Sequence, residues 1–175
     1  MRDRIFFVFL LLTFLVGQAF AQGSSDLDKL HEQFSRYFER VMPDWKHERV
    51  EPVYKNENVL IQFWSFSNRK VKISILPYKS AEEARAALQR HAKYQMNKQQ
   101  LNDVGDEAYA GGYGSGDVAF RKGKLTVYVS TTADVDSDPD ARTLTQAQRF
   151  EREKSEIRRL SLKFAKYAVD AIDAP

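Results

Sequence analysis

Val118-Ala-Phe-Arg-Lys-Gly-Lys-Leu-Thr-Val-Tyr-Val-Ser-Thr131 decides the fold class of this chain. Two runs of β-branched and aromatic residues, Val118–Arg121 and Leu125–Thr131, flank Lys122-Gly123, so the segment reads as a β-hairpin. Upstream, Val104–Ala110 is a further short strand, and Gly111–Gly116 is a glycine-rich connection. Nearer the N-terminus the same grammar recurs. Val59–Phe66 is apolar on both faces, as a strand covered on two sides would be, and Val71–Ile75 alternates cleanly about a Ser67–Lys70 turn. Arg49–Tyr54 is a strand whose Pro52 suits an edge.

Helical periods separate these runs. Leu27, Leu30, Phe34, Tyr37, Phe38 and Val41 recur every three or four residues behind a Ser25/Asp28 capping pair, and Pro43 ends the helix. Their aromatic stripe is expected to pack on a sheet. Ser80-Ala-Glu-Glu83 caps an Ala-rich helix running to about Lys98. Thr145 with Gln148 caps a long final helix whose inner face is Phe150, Ile157, Leu160, Phe164, Ala168 and Ile172, behind a solvated start at Glu151–Glu156. The order α-βββ-α-βββ-α predicts an α+β fold, an antiparallel sheet of about six strands with helices packed mostly on one face.

Residues 1–21 carry a different message. Arg2 and Arg4 precede the apolar run Ile5–Gly17, and Ala19-Phe20-Ala21 is a small-x-small site ahead of Gln22. That is the layout of a secretory signal peptide, with an uncleaved anchor as the alternative. The run falls short of the roughly 20 residues that span a bilayer. We therefore expect cleavage after Ala21 and one globular domain, residues 22–175, with no transmembrane span.

Composition narrows the class. With no Cys at all, the chain has no disulfides, thiolate metal sites or cysteine nucleophiles. Export without Cys points to a bacterial periplasm or the extracellular space. The net charge of +3 includes two Arg and one Asp of the leader and is well mixed, which argues against a nucleic-acid partner.

Candidate chemistry is sparse. Asp134, Asp136, Asp138 and Asp140 alternate like the first half of a calcium loop, but Pro139 replaces the required Gly and Thr145 the bidentate acid. A solvated acidic loop leading into the last helix is the competing reading. Gly114-Ser-Gly-Asp-Val-Ala119 matches a dinucleotide fingerprint on paper, yet a strand follows it where a helix is needed. No cofactor is expected. Asp106 and Glu107 would point to opposite faces of a strand, which favours a turn-making role for Asp106. His31, His47 and His91 are scattered, and Ser115 lacks a nucleophile-elbow context.

Two surfaces remain. Arg69, Lys70 and Lys72 at one hairpin tip, and Arg121, Lys122 and Lys124 at another, would form one cationic rim if both tips pointed the same way. Trp64, Phe66, Tyr109, Tyr113 and Phe120 belong to an aromatic set that fills the core or lines a cleft for an apolar ligand.

Ser80-Ala-Glu-Glu-Ala84, Val104-Gly-Asp-Glu-Ala-Tyr109, Val118-Ala-Phe-Arg-Lys-Gly123 and Val127-Tyr-Val129, with a closing helix, resemble the PsbP-like α/β/α sandwich domains of exported bacterial proteins and sensor ectodomains. The similarity spans about residues 59–172. It implies a non-enzymatic binding or accessory role and transfers no site residues. We therefore expect an exported binding protein of the cell envelope whose partner is an envelope protein, a polymer or a small amphiphile. A carrier with an aromatic cleft and a secreted hydrolase are the alternatives.

Overall fold

The computed structural model describes residues 26–48 and 59–174. The elements run α1 (26–41), β1 (Lys46–Glu48), β2 (Leu60–Phe66), β3 (Arg69–Pro77), α2 (Ala81–Lys93), β4 (Gln99–Leu101), β5 (Glu107–Gly111), β6 (Asp117–Lys122), β7 (Leu125–Ala133) and α3 (Gln146–Asp173). All seven strands join one antiparallel sheet in the order β1-β2-β3-β7-β6-β5-β4. The α+β class is as expected, with one strand more than about six. The expected strand at Arg49–Tyr54 and the Ser25 end of the first capping pair lie outside the described residues.

The sheet is built from two hairpin sets joined along β3 and β7, whose register runs from Arg69 opposite Ala133 to Pro77 opposite Leu125. Alternation then assigns two faces. On the inner face lie Trp64, Val71, Ile73, Ile75, Val118, Phe120, Val127 and Val129, all buried. They pack against Phe34 and Phe38 of α1 and against Leu160, Phe164 and Ala168 of α3. Phe38 is the centre of this contact, its ring 5.2 Å from Trp64 and 5.3 Å from Phe164.

Two of the three helices, α1 and α3, share the inner face, as the sequence suggested. α2 lies on the outer side over β5–β7, where Thr126 donates to the Ala84 carbonyl at 3.2 Å. Its buried residues are Ala84, Ala87, Leu88 and Ala92, small enough for the helix to settle close to the strands. The helix ends at Lys93, earlier than its Ala-rich composition suggested, and Asn97 takes φ 53° as the chain turns into β4. Among the described residues no helix is long and apolar enough to cross a membrane.

Candidate functional site

The five aromatics singled out in the sequence do not share a cleft. Trp64 and Phe120 are completely buried on the inner face, on β2 and β6. Phe66 sits at the sheet margin, its ring 6.0 Å from Trp45. Tyr109 is on the outer side, donating to Glu107 at 2.9 Å. Of the two readings, core or cleft wall, Trp64 and Phe120 take the first. Of the five, Tyr113 and Phe66 are exposed, at 53% and 45%.

Nor do the basic tips make one rim. The β3–β7 register puts the β2–β3 turn beside Ala133 and the β6–β7 turn beside Pro77. The tips therefore lie at opposite ends of a nine-residue strand, roughly 25–30 Å apart. Several of the cations are also engaged. Arg121 donates to Asp106 at 2.7 Å and to the Gly123 carbonyl at 3.1 Å, and Lys122 meets Asp173 at 2.7 Å. Asp106 further accepts the Gly123 amide at 2.8 Å, the turn-making role expected of it. Lys70 and Lys124 stay at opposite ends.

The acidic loop is an arginine brace. Asp138 is gripped by both terminal nitrogens of Arg69, at 2.8 and 2.9 Å, and receives Arg152 at 3.2 Å. Arg152 also reaches Asp140 at 2.8 Å, and Arg149 lies 3.2 Å from Asp136. Asp134 accepts the Asp136 amide and the Ser137 hydroxyl. The Arg69 guanidinium holds the Asp138 carboxyl below the usual carboxylate range despite its partial burial. Glu156 joins through Arg69 at 3.3 Å and Arg159 at 2.8 Å. Among the described residues the acids do not converge as a cation site would require.

This brace holds the first turns of α3 clear of the core. Buried positions on α3 begin only at Ile157. Phe150, expected on the inner face, is instead 43% exposed. On the opposite flank of the same turns lies the glycine loop. Gly112 and Gly114 take φ 75° and 61°, which glycine tolerates, and the loop closes as a short 3₁₀ turn over Tyr113–Ser115. A Cβ on Gly116 would stand 2.3 Å from an Ile157 methyl, so the loop reaches α3 only because that position is bare. Ser161 fixes the contact by donating to the Gly116 carbonyl at 2.7 Å.

Between loop and helix opens a cleft of about 710 Å³. Tyr113 and Phe150 form its aromatic wall, edge to face with centroids 5.8 Å apart. The Lys154 ammonium lies 4.0 Å from the Phe150 centroid and 3.2 Å from Glu151. Met96, 74% exposed, and Asn97 form the floor toward β4. Arg158 closes the far side, donating to the neutral Gln99 amide oxygen at 3.1 Å. No acid among the described residues forms an ion pair with Arg158. The arrangement offers an apolar shelf beside positive charge.

A smaller groove of about 420 Å³ lies on the outer face beside the end of α2, lined by Lys72, His91, Asp117 and Tyr128. The His91 and Tyr128 rings meet edge to face at 4.5 Å. Burial pushes the Tyr128 hydroxyl up to about 12 and lowers His91. This groove brings together residues that the sequence kept apart. The same is true of His31 and His47, whose rings lie 5.5 Å apart, His47 stacking on Trp64 at 4.5 Å.

No protein-family model, curated protein or solved structure matches this chain.

Proposed function

We propose that the chain is an exported, non-enzymatic binding or accessory protein of the cell envelope, its leader removed after Ala21, and that it recognises its partner at the cleft between the glycine loop and α3. The resemblance to PsbP-like domains belongs to this proposal and points the same way. One observation carries the reading: an exposed Tyr113–Phe150 pair, with Lys154 against it, lines the cleft between the glycine loop and α3. Paired aromatics left in water suit a recognition surface, since rings with two χ angles lose little conformational entropy on binding. The burial of Trp64 and Phe120 in the core favours surface recognition over carriage in an aromatic cleft.

Two measurements test it. Sequencing the N-terminus of the protein from the envelope fraction is expected to start at Gln22. An intact Met1 in the cytosol would remove the export half. A photoreactive phenylalanine analogue at position 113 is expected to crosslink a partner in the envelope, while the same group at position 124, at the far end of the sheet, does not. Equal crosslinking at both positions, or none at 113, would remove the cleft.

A further inference from the structure

We infer that the occupant of this cleft is an extended peptide segment that adds as an eighth strand alongside β4 and carries an acidic residue four positions from an aromatic one. The inference rests on the proposed role of the cleft and deepens it. Its starting point is the sheet edge. β4 pairs with β5 on one side, and among the described residues no strand pairs with it on the other. Gln99 and Gln100 are exposed there. An edge of this kind presents unpaired amide and carbonyl groups to an incoming strand.

The edge leads straight into the cleft. Met96 and Asn97, immediately before β4, form the cleft floor, and the Met96 carbonyl accepts the Gly112 amide at 3.0 Å. A strand laid outside Gln99–Leu101 therefore continues past that floor to the aromatic wall. Three residues of edge give too few hydrogen bonds to hold a peptide alone, so side-chain contacts in the cleft must supply the rest.

Charge selects the sequence of the guest. Arg158 sits on the Gln99 side chain with a neutral partner only, so an acidic side chain facing it would gain a charge-assisted bond. Alternate residues of a strand share a face. Arg158 and Phe150 stand eight residues apart on α3, about 12 Å of helix rise, so the residue four positions further along, on the same face, meets Tyr113 and Phe150, where an aromatic ring fits edge to face.

A phage library of random linear twelve-residue peptides, selected on the purified protein, tests this. Enriched peptides are expected to share an acidic residue four positions from an aromatic. Their affinity is expected to fall about tenfold in Y113A/F150A and again in R158E, the worth of one such contact each. Bound peptide is expected to slow amide hydrogen exchange at Gln99–Leu101. Binders that depend on Tyr113 and Phe150 but leave exchange in β4 unchanged would overturn strand addition and leave the cleft standing. Binders indifferent to both aromatics would overturn the cleft as well. Failure to enrich any peptide would overturn the inference, and crosslinking at position 113 then judges the cleft alone.

Discussion

Asp138 shows how one residue changes meaning between sequence and structure. Along the chain it is one of four alternating aspartates, and its spacing suggests a cation ligand. In space Arg69, from a strand 69 residues earlier, has already taken it. The pair is largely shielded, with side chains 11% and 16% exposed. Asp138→Asn strands much of the Arg69 charge and should cost about 2 kcal/mol in urea unfolding, between the exposed-pair and buried-pair limits. Because the folded carboxyl titrates below the ordinary 3.8, its contribution is full above that pH and disappears as pH falls through the lower folded value. The histidines act in the same direction at higher pH. Burial lowers both His47 and His91 from the ordinary 6.5. The unfolded chain therefore takes up these protons first, so stability is full above about pH 6.5 and declines below it. A melting temperature that falls between pH 7.5 and 5, with a shallower fall in H47Q/H91Q, is the expected result. An unchanged slope in the double variant would place the acid sensitivity elsewhere.

At the scale of elements, local signals were readable wherever the determinants lie within a few residues. Ser80 accepts the Glu83 amide, and Thr145 with Gln148 forms the reciprocal capping box, both as their spacing implies. The β6–β7 hairpin turns at Gly123, φ 56°, as read. β4 escaped notice because Gln99-Gln100-Leu101 has no strand-like pattern of its own and is a strand only through pairing with Ala108–Ala110. Phe150 kept the period of the inner face, but the arginine brace holds its turn of helix away from the sheet. Glycines separate the two kinds of constraint. Gly116→Ala drives a methyl into Ile157 and is expected to cost about 2–3 kcal/mol as overpacking. Gly123→Ala meets nothing within 4 Å and carries only its left-handed backbone, about 1 kcal/mol. Chemical denaturation of the two variants ranks them. Equal losses would mean that the glycine loop gives way at α3, and the cleft wall could not then be rigid.

For the molecule as a whole, the sheet register decides what surfaces exist. β2, β3, β5, β6 and β7 were legible in the sequence, but β1, β4 and the β3–β7 junction were not, and that junction puts the two basic tips at opposite ends and Trp64 and Phe120 in the interior. The core and the cleft are thereby separate, which makes a sharp prediction. Trp64 is fully buried between Phe38 and His47, and its indole N–H donates to Gln62 at 3.2 Å. Trp64→Ala removes that filling and should cost about 3–5 kcal/mol, a large part of the 5–15 kcal/mol that holds a domain of this size together. Tyr113→Ala with Phe150→Ala removes only a half-exposed pair and should cost about 1 kcal/mol, the worth of an aromatic contact at a surface. Urea midpoints should therefore drop steeply for the first variant and slightly for the second, while crosslinking from position 113 separates them the other way, surviving in any residual folded W64A and falling in F150A. If the double variant were as unstable as W64A, the pair would be part of the core, and its exposure would have no bearing on recognition.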